Sequence, residues 1–476
     1  MTGAGELRAG AATVPIPPPL GVDLMGYLRR SEPARGYGQP LEANAVVLEH
    51  DGERVVVVGV DIAAIVGVWG QRVRAEIARA CDCPVAHVLV NAQHTHAAPP
   101  VPGWMKAGGD YEWNERERRY ADSLPDLLAS VAGAAAEALA PARIGAARTT
   151  VEGISVNRRQ RHEGGTILGW NPDEICDRDV AVVRVDRAEG GAIATLVAFA
   201  CHPVVVGPDV PEISSDFVGG LRARVRAWTG GECIFLQCCA GNILPFEAFW
   251  DRPGPELRFA DRLAAAALGA WAAAPLEPTR PEQVPFASAV PMAIWRHVPS
   301  GEPVDHTIRA VEREVSLPLQ ALPTAGQMHE LQGELRSRAD ALQAEGAART
   351  AWNPVLLHSH WAGEMAAALE AGLPGTVLAP VQAIRIGGIC LTAWPCEPFC
   401  ELGLEVRERS QAPFPITLGY SNDLVGYVAT RREYPFGGYE PTVSHRHFGR
   451  PVPFAEETGE LLVAQALELT AQVFAS

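Results

Sequence analysis

The sequence feature that most constrains the fold is the run Arg54-Val55-Val56-Val57-Val58-Gly59-Val60, which follows the turn-forming residues His50-Asp51-Gly52-Glu53. An uninterrupted apolar run of this length suits a strand covered on both faces, not the alternating strand of a sheet open to water. The residues before the turn, from 41, read as its hairpin partner. Residues 69–81 then carry Val73, Ile77 and Ala80 at helical spacing, and 85–90 are again apolar. Strand, helix, strand predicts a βαβ unit, in which chemistry collects where the strands end. Here the second strand delivers the chain into Asn91-Ala92-Gln93-His94-Thr95-His96.

The rest of the chain continues in the same grammar. Residues 113–140 are Ala-rich and helical in spacing. Residues 149–157 read as strand and 158–165 as loop. Strands at 180–185 and 192–200 pair across Glu189-Gly190-Gly191, and the second runs into Cys201-His202-Pro203. A helix at 217–229 leads to a short strand at 233–236 and the loop Cys239-Ala240-Gly241-Asn242. Residues 275–285 are a proline-rich connection, and 324–346 and 359–371 are amphipathic helices. A hairpin at 377–393 precedes Trp394-Pro395-Cys396-Glu397-Pro398, a helix at 399–409, a strand at 418–428, a Gly- and His-rich stretch at 434–448 and a closing helix at 456–474. No internal repeat interrupts this series. The predicted fold class is α/β, a mixed β-sheet core flanked by helices, as one domain over 1–476 with a helical insertion at about 324–372.

With 476 residues and 47% hydrophobic content the chain has ample material for such a core. The formal net charge of −16 repels phosphate backbones and anionic lipid, which argues against a nucleic-acid partner and a stable membrane anchor. The first 19 residues show no charged segment leading into an apolar one, and no run approaches the roughly 18–20 apolar residues of a membrane span. A cytoplasmic location is the expectation. The ten cysteines form no paired CxxC pattern, so buried reduced thiols are expected rather than a zinc ribbon.

His94 and His96 stand two apart at a strand end, where extended geometry would turn both imidazoles to one face and toward a common metal. Two hydrogen-bonded loop histidines would look the same in sequence. His202 strengthens the metal reading, because it too follows an apolar strand, and strand ends on one sheet edge converge. Glu397 lies in a strand-to-helix turn, where a carboxylate equally serves as a helix cap. Tyr427, in Gly426-Tyr427-Val428, equally suits a strand aromatic in the core. Asp61 closes the valine strand as a hydrogen-bond partner or cap. His358 and His360, at the start of a helix, point apart and are discounted as ligands. Cys396 and Cys400 are read as buried thiols. Arg446, between His445 and His447, is a candidate for an anionic substrate group.

Taken together and in order, Gln93-His94-Thr95-His96, Cys201-His202-Pro203, Ala240-Gly241-Asn242-Ile243-Leu244-Pro245, Glu397-Pro398-Phe399, Gly426-Tyr427-Val428 and Gly438-Tyr439-Glu440 resemble the neutral (alkaline, non-lysosomal) ceramidase family, as does the opening Pro15-Ile16-Pro17-Pro18-Pro19-Leu20-Gly21. The resemblance implies the fold of that catalytic domain and one Zn2+ per chain. It implies His94, His202, Glu397 and Tyr427 as ligands and His96 as the proton-transfer residue. It also implies Arg158 and Tyr439 facing the substrate amide oxygen, with Asn242 and Leu244 lining the site. Two departures stand out. Leu244 occupies the position of the family's serine, so metal-activated water is the expected nucleophile. The family's immunoglobulin-like C-terminal domain has no counterpart here. The expected activity is hydrolysis of a small or amphiphilic amide. The alternatives are a zinc-dependent lyase, cyclase or synthase on the same scaffold, or a non-catalytic descendant that binds a ligand. Oligomeric state is left open, a homo-oligomer included.

Overall fold

The computed structural model describes residues 5–27, 30, 32–103 and 113–475. Its largest sheet has eight strands in the order Glu232–Gln237, Ala192–Phe199, Asp179–Arg187, Ala140–Thr150, Arg8–Pro15, Glu42–His50, Glu53–Val60 and Val88–Ala92. The pair at each end is parallel and the pairs between are antiparallel. Val55 to Val58 are wholly buried, as their unbroken apolar run requires.

By strand order the two outermost strands are far apart, yet they meet. The sheet curls until the Gln237 amide N–H donates to Asn91 Oδ1 at 2.7 Å, and the Asn91 Nδ2 donates to the Gln237 carbonyl at 3.2 Å. Gly59 makes this approach possible: a Cβ there would lie 2.7 Å from the Phe235 carbonyl oxygen, closer than any side chain tolerates. The curl carries the ends of Val88–Ala92 and Ala192–Phe199 to one place, and with them His94 and His202.

Helices Gly67–Ala80 and Glu115–Glu137 pack together on one side of this sheet, and Phe217–Thr229 with Pro255–Ala273 on another. Asn114 caps the second of these in a capping box with Glu117. A smaller mixed sheet, Ile308–Pro318, Thr376–Ile386, Ile389–Ala393 and Phe414–Leu418, is covered by helix Thr458–Phe474. Bridges Cys238 to Leu418 and Asn91 to Ser421 join its end to the strand ends of the large sheet. Helices Ala325–Ala344 and Arg349–Glu370 pair with each other around a small core of Met328, Trp361, Ala362, Met365 and Ala366.

Several sequence expectations are corrected. Residues 149–157 are not one strand: Ala140–Thr150 ends, the chain turns, and Ser155–His162 begins a hairpin with Gly165–Asn171. Arg158 therefore lies on a strand, not in a loop. The strand expected at 418–428 is Phe414–Leu418, followed by a loop and the two-residue Tyr427–Val428. The proline-rich 275–285 contains a strand, Thr279–Val284, paired with Ile294–Pro299. The second amphipathic helix starts at Arg349 and accommodates Pro354 in its first turns, so His358 and His360 sit inside it. No helix among the described residues is long and apolar enough to cross a membrane.

Candidate metal centre

After Ala92 the chain leaves extended geometry. His94 adopts φ +70°, in the left-handed region, while Gln93 and His94 donate their N–H groups to Val60 and Ile62. The turn, not a continued strand, sets the two imidazoles face to edge with centroids 4.9 Å apart and Nε2 atoms 3.2 Å apart. His202 follows its own strand, and its ring stands edge-on to His94 at 5.0 Å. Gln237 ties the two loops together, its Nε2 donating to the carbonyls of Gln93 and Cys201.

Glu397 and Tyr427 arrive from the other side on a two-residue parallel ladder, directly paired in register. Glu397 Oε2 lies 3.4 Å from His94 Nε2 and 3.2 Å from His202 Nε2. The Tyr427 hydroxyl lies 3.4 Å from His202 Nε2. All four residues are buried. These four residues lie side by side in the structure.

The hydrogen bonds fix the chemistry. His94 Nδ1 donates to the Ala63 carbonyl at 2.6 Å, and His202 Nδ1 to the Ala240 carbonyl at 2.8 Å. Rings anchored this way turn their Nε2 atoms toward Glu397 Oε2, which has no hydrogen-bond partner. Burial first, and Arg158 beside it, push the His202 imidazole down to about 4. Burial works against ionisation of Glu397 as well, but the two imidazoles outweigh it and hold its carboxyl well below the usual range. A carboxylate and two imidazoles meeting within 3.4 Å, each imidazole held from behind by a carbonyl, form a donor set turned toward one point. The donor set, two imidazoles, a carboxylate and a phenol oxygen, fits a zinc ion.

His94, His96 and His202 also present ring nitrogens within 4.8 Å of one another, so His96 could reach a shared ion. It is held differently from the other two. Its Nδ1 has no hydrogen-bond partner, whereas ligand histidines almost always anchor that second nitrogen. The ring is instead wedged between Tyr27, at 5.0 Å, and Gly26, where a Cβ would stand 2.3 Å from the imidazole Cγ. Burial and the neighbouring histidines keep it well below its ordinary pKa.

Arg158 reaches the centre from Ser155–His162. Its Nη1 lies 3.3 Å from His202 Nε2, its Nε donates to Glu440 Oε1 at 2.7 Å, and its Nη2 is buried without an acceptor. Burial opposes its charge, yet Tyr427 and Glu440 hold its pKa above the ordinary guanidinium value. Glu440 Oε2 also accepts from Arg159 Nη1, and Glu433 accepts from Arg159 and Arg161. Tyr439 packs edge-on against Tyr427 at 5.6 Å.

Three other residues expected to face the substrate lie farther from the four. Asn242 uses its side chain on Glu401 and the Cys400 N–H, and its carbonyl accepts from the Arg158 N–H, so it is a strut between elements. Leu244 is buried on Ile243–Pro245, paired with Val156, and brings no hydroxyl. Arg446 stacks over Trp361 at 5.1 Å, and its neighbour His447 meets Tyr439 at 5.9 Å. Asp61 accepts from Arg222 and the Glu42 N–H and stays out of the centre. Cys396 and Cys400 are free thiols whose pKa burial pushes well above the usual value. Asn91, Gln237, Glu440 and Tyr420, whose ring lies 4.6 Å from that of His94, were not singled out in the sequence. The one available signal is position: Asn91 and Gln237 are the first polar residues after buried apolar runs.

Residues 10–228 match the family model described as neutral/alkaline non-lysosomal ceramidase, N-terminal. Glu397, Tyr427 and Tyr439 lie outside that match. A crystal structure of neutral ceramidase from Pseudomonas aeruginosa superposes with a TM-score of 0.66 at 19% identity, covering 99% of this chain and 75% of that one. A ceramidase structure complexed with C2 gives the same TM-score at 18% identity, covering 98% of this chain and 75% of the other. The chain thus resembles neutral ceramidases in sequence over its N-terminal part and shares their mixed α/β fold throughout. No curated protein sequence matches it.

Proposed function

We propose that this chain is a zinc-dependent hydrolase that cleaves the carbon–nitrogen bond of a small or amphiphilic amide, with water as the nucleophile. The family match and the shared fold support a hydrolase. The observation that carries the metal reading is the unpartnered Glu397 Oε2 facing two imidazole Nε2 atoms whose other nitrogens are anchored. His94, His202, Glu397 and Tyr427 would hold the ion. Bound zinc supplies Lewis acidity, lowering the pKa of water toward neutrality and polarising a carbonyl.

The chain's own residues do the rest. His96, beside the centre but not anchored as a ligand, takes the proton from the attacking water and returns it to the departing nitrogen. The products are then a carboxylic acid and an amine. The free Nη2 of Arg158, braced by Glu440, donates to the amide oxygen as negative charge grows there, and Tyr439 orients the same group. With Leu244 where the family has serine, no hydroxyl at that position competes as nucleophile.

Metal analysis of the purified protein should give about one zinc per chain, and His202→Ala should remove most of it. Protein that carries no metal, and whose turnover ignores chelators, would rule the reading out. Turnover in oxygen-18 water separates hydrolysis from a lyase or synthase reaction, because only hydrolysis places label in the acid.

A further inference from the structure

Beside Tyr439 lies a second cluster of nitrogen groups. Tyr439 touches both, with ring centroids 5.6 Å from Tyr427 and 5.9 Å from His447. His447 meets His358 of helix Arg349–Glu370 at 5.6 Å. Trp361 of the same helix meets His445 at 5.6 Å and Arg446 at 5.1 Å. Its indole N–H also donates to the Arg450 carbonyl, which pins the helix to this turn. Arg450 is 6% exposed and stacks on Phe454 at 3.8 Å.

What distinguishes the cluster is missing charge. Among the described residues no carboxylate forms an ion pair with Arg446, Arg450, His358, His445 or His447. Arg450 Nε and Nη1, Arg446 Nε, His445 Nδ1 and His358 Nε2 are all buried without a hydrogen-bond partner. Burying a guanidinium this way is costly, and ring stacking recovers only part of the cost. The three imidazoles respond by staying neutral: burial, with the neighbouring cations adding to it, brings His445 down to about 3 and His358 and His447 to about 4. A buried group of cations and unsatisfied nitrogens is complementary to one kind of ligand, a small oxyanion.

We propose that this cluster is an oxyanion subsite, and that the amide cleaved at the neighbouring centre carries a carboxylate or phosphate several bonds from its scissile carbonyl. Tyr439 contacts residues of both groups, so a substrate that passes it places its amide against Arg158 and its anion against Arg446 and Arg450. This assignment rests on the hydrolase reading for its substrate half. The cluster's affinity for an anion is independent of turnover.

The test uses zinc-loaded full-length protein and two probes. Calorimetry with inorganic phosphate should show binding, weakened about tenfold or more in Arg446→Gln and largely kept in Arg446→Lys. Kinetics should show an N-acyl 6-aminohexanoate preferred about tenfold or more over its uncharged carboxamide, a preference that Arg446→Gln erases, with phosphate a competitive inhibitor. Equal rates for the two amides, phosphate affinity unchanged in Arg446→Gln, or binding that does not compete with substrate would each overturn the proposal. Phosphate binding that Arg446→Gln abolishes, in a protein that hydrolyses neither amide, would sink the hydrolase reading and leave the anion site standing. Hydrolysis of both amides alike with no phosphate binding would do the reverse.

Discussion

Near Tyr439 the chain buries positive charge in two ways. In one, Arg158, Arg159 and Arg161 alternate with Glu433 and Glu440, at distances of 2.7–2.8 Å. In the other, Arg446 and Arg450 share their surroundings with three histidines and no paired carboxylate among the described residues. The first network is complete without help, and each donor it does not use, such as Arg158 Nη2, is left over for a reason. The second is incomplete by several hydrogen bonds. A self-sufficient network holds geometry, whereas an incomplete one stores affinity.

The contrast breaks most visibly at Glu440. Glu440→Ala takes the carboxylate partner from buried Arg158 and one of two from Arg159, and should lower stability by about 3–5 kcal/mol in urea denaturation. A loss below about 1 kcal/mol would mean the network is not what fixes Arg158. The second cluster should gain where the first loses. Phosphate at a hundredfold excess over its dissociation constant should stabilise the protein by about 2.7 kcal/mol, read as a raised Tm, while equal ionic strength from chloride does little.

Acid should act on the second cluster as well. The unfolded histidines titrate near 6.5, and the folded ones near 3 to 4. Between those values the unfolded chain binds more protons, so stability is full above about pH 6.5 and falls as pH drops toward 4. Tm measured from pH 7 to 5 should decline, less steeply with phosphate present and less steeply in His445→Gln. A slope indifferent to both would remove the histidines from the account. The smallest effect is expected of Arg446→Gln without ligand. Lost stacking on Trp361 and relieved repulsion should cancel to within about 0.5 kcal/mol.

How legible this molecule is in its sequence depends on the range of the interaction. The valine strand, the helix at Phe217–Thr229 and the hairpin ending at Ala393 are local patterns, and they read correctly. The residues of the proposed centre were legible only as positions, because each lies at a strand end and the motifs recur in family order. What could not be read was long-range. Nothing near Arg158 indicates that its strand pairs with Gly165–Asn171, and nothing near Glu440 indicates that it clasps two arginines some 280 positions earlier. Pairing His94 with His96 by strand periodicity reached the right neighbours through the wrong geometry, since a positive φ and not extension turns the rings together. The curl of the sheet depends on Gly59, which in sequence is one more small residue in an apolar run.

The two-residue ladder that pairs Glu397 with Tyr427 has a consequence for how such a centre could change over generations. The Glu397 N–H donates to the Gly426 carbonyl and the Phe399 N–H to that of Val428, so main chain alone holds the two positions abreast. Side chains there can be exchanged without moving the platform that presents them. A single codon change, Tyr427→His for example, would offer the same place a different donor atom. Under the proposed metal reading, preference for one ion over another is thus open to retuning one residue at a time, with the architecture left intact.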